Sequence, residues 1–117
     1  MREAVIVSSV RTPGGRARRG GLADTRADVL ARTAVRGCLA KVPQVRPEMI
    51  DDVVFGCSFP EAEQGLNLGR VIARHAGLPD EVPGFVVNRF CSSGLQAIAL
   101  AAQNILCGWN DIVLAGG

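Results

Sequence analysis

Val86-Val87-Asn88-Arg89-Phe90-Cys91-Ser92-Ser93-Gly94-Leu95-Gln96-Ala97-Ile98 is the stretch that decides the fold. Phe85, Val86 and Val87 are aromatic or β-branched and follow Pro83-Gly84, which predicts a strand beginning there. No charged residue stands between Cys91 and Trp109. Leu95, Ile98, Ala102, Ile105 and Leu106 fall on one helical face, and Ala97, Leu100 and Ala101 fill much of the other. A helix apolar on nearly every side is a buried helix. The reading is strand, sharp turn, buried helix, with Cys91 at the amino end of the helix.

That position has chemical consequences. A helix start carries unpaired N–H groups and about half a positive charge. There a thiolate is favoured over a thiol, which makes the sulfur a nucleophile at neutral pH. The same N–H groups can hold the oxygen of an acyl group bound to that sulfur. Ser92 and Ser93 suit a first helical turn, and Gly94, costly inside a helix, implies a close approach to the backbone. Cys91 is the candidate catalytic residue.

Working outward, Ala4 to Val7 is a continuous apolar run, read as a fully buried strand. Arg11 to Gly21 is a loop by its Pro and Gly content, and its four arginines match neither a dinucleotide fingerprint nor a P-loop. Asp28 is predicted to cap a helix running to about Lys41, with Leu30, Ala34, Cys38 and Leu39 along its apolar stripe. Asp52 leads into a second strand, Val53 to Cys57. Ser58 to Leu66 is a loop whose Glu61 and Glu63 read as solvated. Asn67 is predicted to cap a helix through Ala76, stopped by Gly77 and Pro79. His75, the one histidine, reads as a satisfied or surface side chain. Ile112 to Ala115 is the last strand. Cys107 lies in the last turn of the long helix, against a negative partial charge, and is not activated.

The fold class is therefore α/β, a βαβαβαβ chain with a mainly parallel sheet and a buried central helix. Helical crossovers imply parallel strands and right-handed connections. Ligands of such sheets bind at the carboxyl ends of strands, where Cys91 falls. Composition agrees: 117 residues, 48% hydrophobic and 4% aromatic, describe a core of Val, Ile, Leu and Ala. A net charge of +2 is too small to imply a nucleic-acid partner. Cys38, Cys57, Cys91 and Cys107 show no CxxC pair, so neither a metal site nor a disulfide framework is expected. There is no secretory leader and no membrane-length apolar run, which points to a soluble cytoplasmic protein.

Asn88 to Ala97 resembles the nucleophile segment of the thiolases, the acetyl-CoA acyltransferases. The flanks are similar to the same family in order: Glu3 to Val7 with Arg11-Thr12-Pro13, Ile50 to Cys57, Ala76-Gly77-Leu78-Pro79, and Asp111 to Gly117. The resemblance implies that Cys91 attacks a thioester or 3-ketoacyl thioester carbonyl and carries the acyl group. Acyl-CoA and CoA would be substrates, with no cofactor besides, and the chain would assemble as a homo-oligomer through Phe85–Asn88. Thiolases are longer than this sequence. An Asn-Glu-Ala-Phe-like segment, a Gly-His-Pro histidine and a second cysteine near the carboxyl end of the family do not occur here. Residues 1–117 are accordingly expected to be an incomplete amino-terminal domain, inactive alone and prone to associate. Two other readings remain open: a ketoacyl-synthase-like condensing enzyme, and a non-catalytic subunit-association fragment.

Overall fold

A computed structural model describes residues 2–117. Among them three helices and three strands alternate: α1 (Ala27–Ala40), β1 (Asp52–Gly56), α2 (Leu68–Ala76), β2 (Phe85–Val87), α3 (Ser93–Leu106) and β3 (Val113–Gly116). Single 3-10 turns occupy Pro47–Met49, Ala62–Gln64 and Phe90–Ser92. The α/β class and the parallel sheet expected from the sequence are present. The sheet order is β2-β1-β3, with Val54 opposite both Phe85 and Ala115. β1 is central, so both its faces need cover, and its unbroken apolar run supplies the side chains.

Alternation along β1 divides the core. Val53, Phe55 and Cys57 join Val35, Leu68, Ile72 and Ala73 beneath α1 and α2. Gly56, of opposite parity, meets α3 at Ser93. The layering follows from the order of the strands. The chain steps from β1 to β2 in one direction and returns past β1 to β3 in the other. Right-handed crossovers then place α2 and α3 on opposite faces.

Local signals hold where they are self-contained. Asn67 accepts the Arg70 N–H at 3.2 Å as the cap of α2. Gly77, with φ +92°, ends that helix in the left-handed conformation that favours glycine. Arg70 donates to the carbonyls of Val82 (2.5 Å) and Asp80 (3.1 Å), which ties the descent into β2 to α2. Across the sheet, Asp51 Oδ2 accepts the N–H groups of Asp111 (2.6 Å) and Ile112 (3.0 Å), aligning β3 on β1.

Three expectations are corrected. Residues 4–7 form no strand. Val5, Ile6 and Val7 are exposed, and the arm is held instead by contacts of Arg2 with Asp111, Ser8 with the Cys38 carbonyl (2.8 Å) and Lys41 with the Ser9 carbonyl (3.0 Å). A doubly apolar strand needs a ladder partner and cover on two faces, and within residues 2–117 this segment has neither. The central helix is not buried all round. Ser93, Ala97 and Ala101 face the sheet, whereas Leu95 is 70% and Ile98 45% exposed. The small face packs because only small side chains let a helix lie this close to a strand. Finally, Asp28 does not cap α1. Arg26 stands at the cap position, and Asp28 lies buried within the first turn.

Asp28 instead joins α1 to α2. Arg26 Nε donates to its Oδ1 at 2.9 Å, and His75 Nδ1 lies 3.1 Å from Oδ2, close but off the line of a hydrogen bond. Arg32 donates to His75 Nε2 at 3.1 Å. A guanidinium can only donate, so Nε2 accepts and the ring proton sits on Nδ1, toward Asp28. Burial presses the Asp28 carboxyl upward, but the hydrogen bond and charge of Arg26 outweigh it and hold the group below its ordinary 3.8.

Two outcomes are expected. The unfolded chain protonates Asp28 before the folded one does, so its stabilising contribution is complete above about pH 5 and declines as pH falls through the folded value. Urea midpoints of the wild type should therefore drop more steeply between about pH 5 and pH 3 than those of D28N, and parallel curves would contradict this. Leu95, Ile98, Leu106, Trp109 and the Val5–Val7 arm leave extensive apolar surface open. Sedimentation of the isolated chain should show association above the monomer, and a lone monomeric boundary would refute it.

Candidate active site at the turn between β2 and α3

β2 delivers the chain to the carboxyl edge of the sheet, and the 3-10 turn Phe90–Ser92 converts it into α3. Cys91 is the middle residue of that turn, two positions before the α-helix proper begins at Ser93. Its side chain is exposed. The thiol is thus both near a helix start and open to solvent, which a nucleophile needs. Cys57 is buried, Cys38 is half-buried at Ser8, and Cys107 is exposed at the opposite end of α3. The four cysteines are all free thiols.

The turn is strained and heavily tied. Phe90 has φ +47°, the left-handed region that bulky residues rarely adopt. Its N–H donates to Asn88 Oδ1 at 2.9 Å. Its carbonyl accepts the hydroxyls of Ser58 and Ser93, each at 2.6 Å. The buried Ser93 hydroxyl also accepts the Arg89 N–H at 2.9 Å, and Ser92 Oγ donates to the Arg89 carbonyl at 2.9 Å. Asn88 Nδ2 donates to the Ser58 carbonyl at 3.1 Å. Such a conformation persists where the surroundings over-determine it.

Glycine sets the depth of the turn. A Cβ on Gly56 would lie 2.3 Å from the Ser93 carbonyl carbon, so the start of α3 rests directly on the end of β1. The close approach expected at Gly94 is not found there: an added Cβ would meet only the Gly117 Cα at 3.7 Å, an ordinary van der Waals contact. The tight positions are Gly56 and Gly117, where backbone meets backbone.

The other sequence candidates fall elsewhere. His75 is held in the α1–α2 seam. Glu61 and Glu63 are exposed, and Glu63 reaches Arg26 at 3.7 Å. Arg16 and Arg18 line an open cleft with Pro13, Gly15, Leu22 and Leu30, apart from the Cys91 turn. Among the described residues no group of three His, Cys, Asp or Glu side chains could hold a metal ion, and no helix is long and apolar enough to cross a membrane. Sequence reasoning missed Ser58. No local signal marks it, because its partner lies 32 residues later.

The chain is similar to known proteins along nearly its whole length. Residues 4–117 match the family profile described as thiolase, N-terminal domain. The chain is 51% identical over 117 residues to a 3-ketoacyl-CoA thiolase of Bacillus subtilis, covering all of this chain and 30% of that protein. It is 43% identical to a 3-ketoacyl-CoA thiolase of Saccharophagus degradans, covering 99% of this chain and 30% of the relative. It is 44% identical to a beta-ketoadipyl-CoA thiolase of Acinetobacter baylyi, covering 100% of this chain and 29% of the relative. The chain thus spans about 30% of the length of the curated relatives it matches.

The contact between Gly56 and α3 carries a test. Gly56→Ala must push the helix off the strand and should cost about 1–3 kcal/mol, read as a lowered urea midpoint at fixed protein concentration. An unchanged midpoint would mean that the helix does not rest on this glycine.

Proposed function

The chain belongs to the thiolase family, and on that premise we propose that it is the nucleophile-bearing amino-terminal part of an acyltransferase. Cys91 receives the acyl group of an acyl-CoA or 3-ketoacyl-CoA and passes it to CoA or acetyl-CoA. The single observation that carries this reading is an exposed thiol in the turn that opens α3, at the carboxyl end of a parallel strand.

The chemistry follows from the turn. The Cys91 thiolate attacks the thioester or β-keto carbonyl carbon, a sulfur–carbon bond forms, and the carbonyl oxygen takes up negative charge. The Cys91 N–H stands in the first turn, where N–H groups have no helical acceptor, and is suited to receive that oxygen. Collapse of the adduct expels the CoA thiolate, or breaks the carbon–carbon bond of a 3-ketoacyl substrate and releases acetyl-CoA once the carbanion is protonated. A second thiol or carbanion then takes the acyl group from sulfur. Moving those protons requires acid–base groups beside the sulfur. The chain's one histidine is committed to Asp28 and Arg32, which supports the expectation that the chain is inactive alone.

A second reading is compatible with the first. Among the described residues β2 is an edge strand with one side unpaired, and an edge of this kind can pair with a second copy. Homo-oligomerisation through Phe85–Asn88 is proposed on that ground.

Alkylation tests the nucleophile. Cys91 and Cys107 are both exposed and stand at opposite ends of one helix, so exposure cancels between them. Iodoacetamide at neutral pH, followed by peptide mass mapping, should modify Cys91 about tenfold faster than Cys107. Equal rates would remove the nucleophile reading for this chain.

A further inference from the structure

We propose that Ser58 is a positioning residue for acyl transfer: by holding the Phe90 carbonyl inward it aims the Cys91 N–H at the acyl oxygen. The proposal rests on Cys91 being the nucleophile and deepens that reading.

Bonding around Phe90 carries it. Both polar backbone groups of this left-handed residue are saturated, the N–H by Asn88 and the carbonyl by two hydroxyls together with the Ser93 N–H that closes the 3-10 turn. No peptide bond among the described residues is cis, and in a trans peptide the carbonyl of one residue and the N–H of the next point in opposite directions. A Phe90 carbonyl turned toward Ser58 and Ser93 therefore turns the Cys91 N–H away from them.

The two hydroxyls are not equivalent. Ser93 lies three residues along the same turn, and its bond is a local one that travels with the helix. Ser58 lies in the segment that leaves β1 and reaches across from the sheet. The pairing of β1 with β2 runs on past both strands. Gly56 stands opposite Val87, the Cys57 N–H donates to the Val87 carbonyl at 3.0 Å, Asn88 Nδ2 donates to the Ser58 carbonyl at 3.1 Å, and Ser58 Oγ donates to the Phe90 carbonyl at 2.6 Å. Side chains continue the ladder where the backbone departs from it. Ser58 is the rung that refers the peptide before Cys91 to the rigid central strand.

Two reagents separate orientation of the N–H from reactivity of the sulfur. Iodoacetamide alkylates by displacement at a saturated carbon and develops no oxyanion. With p-nitrophenyl acetate the Cys91 sulfur bonds to the carbonyl carbon, charge develops on the carbonyl oxygen, p-nitrophenolate leaves, the thiol proton goes to solvent and a thioester remains. Ser58→Ala should slow acetylation of Cys91 about tenfold while leaving its alkylation within about twofold, since only acetylation draws on an oxyanion donor. Ser58→Thr, which keeps the hydroxyl, should restore acetylation. The proposal is overturned if S58A slows both reactions alike, if it slows neither, or if S58T fails to rescue. Wild-type Cys91 acetylated no faster than Cys107 would instead sink the nucleophile reading beneath it.

Discussion

Strand β1 and helix α3 touch backbone to backbone, and most of the molecule is arranged so that they can. Gly56 presents no side chain to α3, and the helix answers with the small residues Ser93, Ala97 and Ala101. Gly117 closes on the same spot, where a Cβ would lie 2.8 Å from the Gly94 Cα. On the other side of the sheet Gly69 does the same for α2, since a Cβ there would stand 2.1 Å from the Phe85 carbonyl oxygen. β2 is thus gripped from α2 while α3 is pressed onto β1. The only freedom left to the intervening residues is a sharp turn, and Cys91 lies in it.

Such closeness has a cost, and the turn shows where it is borne. Reversing direction within Asn88–Ser92 puts Phe90 into a left-handed conformation. Ser58, Asn88 and Ser93 offset that strain by satisfying the polar groups of Phe90. The strained residue precedes Cys91, so the bonds that relieve strain also fix the peptide that joins the two. In the proposed reading, stability and chemistry share the same hydrogen bonds.

Helix α3 is asymmetric. A helix whose small residues face the sheet and whose Leu95, Ile98 and Leu106 face outward has one side finished and one side open. The apolar arm at Val5–Val7 is open in the same way. The chain spans about 30% of the length of its relatives, and within the described residues the turn around Cys91 is held by Ser58, Asn88 and Ser93 while the outer face of α3 is exposed.

Much was legible from residues alone, wherever the deciding contacts are short-range. Asn67 and Gly77 bound α2 because a cap and a left-handed stop act within a few residues. Val53 to Gly56, Phe85 to Val87 and Val113 onward declared themselves strands by unbroken apolar runs, and the elbow at Cys91 was readable because strand, turn and helix follow each other directly. Tertiary structure decided the rest. Periodicity marked Leu95 and Ile98 as a buried face, yet the face that packs is the small one, because what a strand accepts depends on the glycine opposite. Asp28 has the composition of a cap, but His75, 47 residues away, draws it into the seam between two helices. The apolar run Ala4–Val7 has the strand pattern, but a strand exists only where another lends it hydrogen bonds. Ser58 carries no signal at all, since its importance lies in a carbonyl that folding alone brings to it. Local sequence fixes conformations whose energy is local; which faces meet, and which hydroxyl reaches which carbonyl, depends on distances that exist only once the chain has closed on itself.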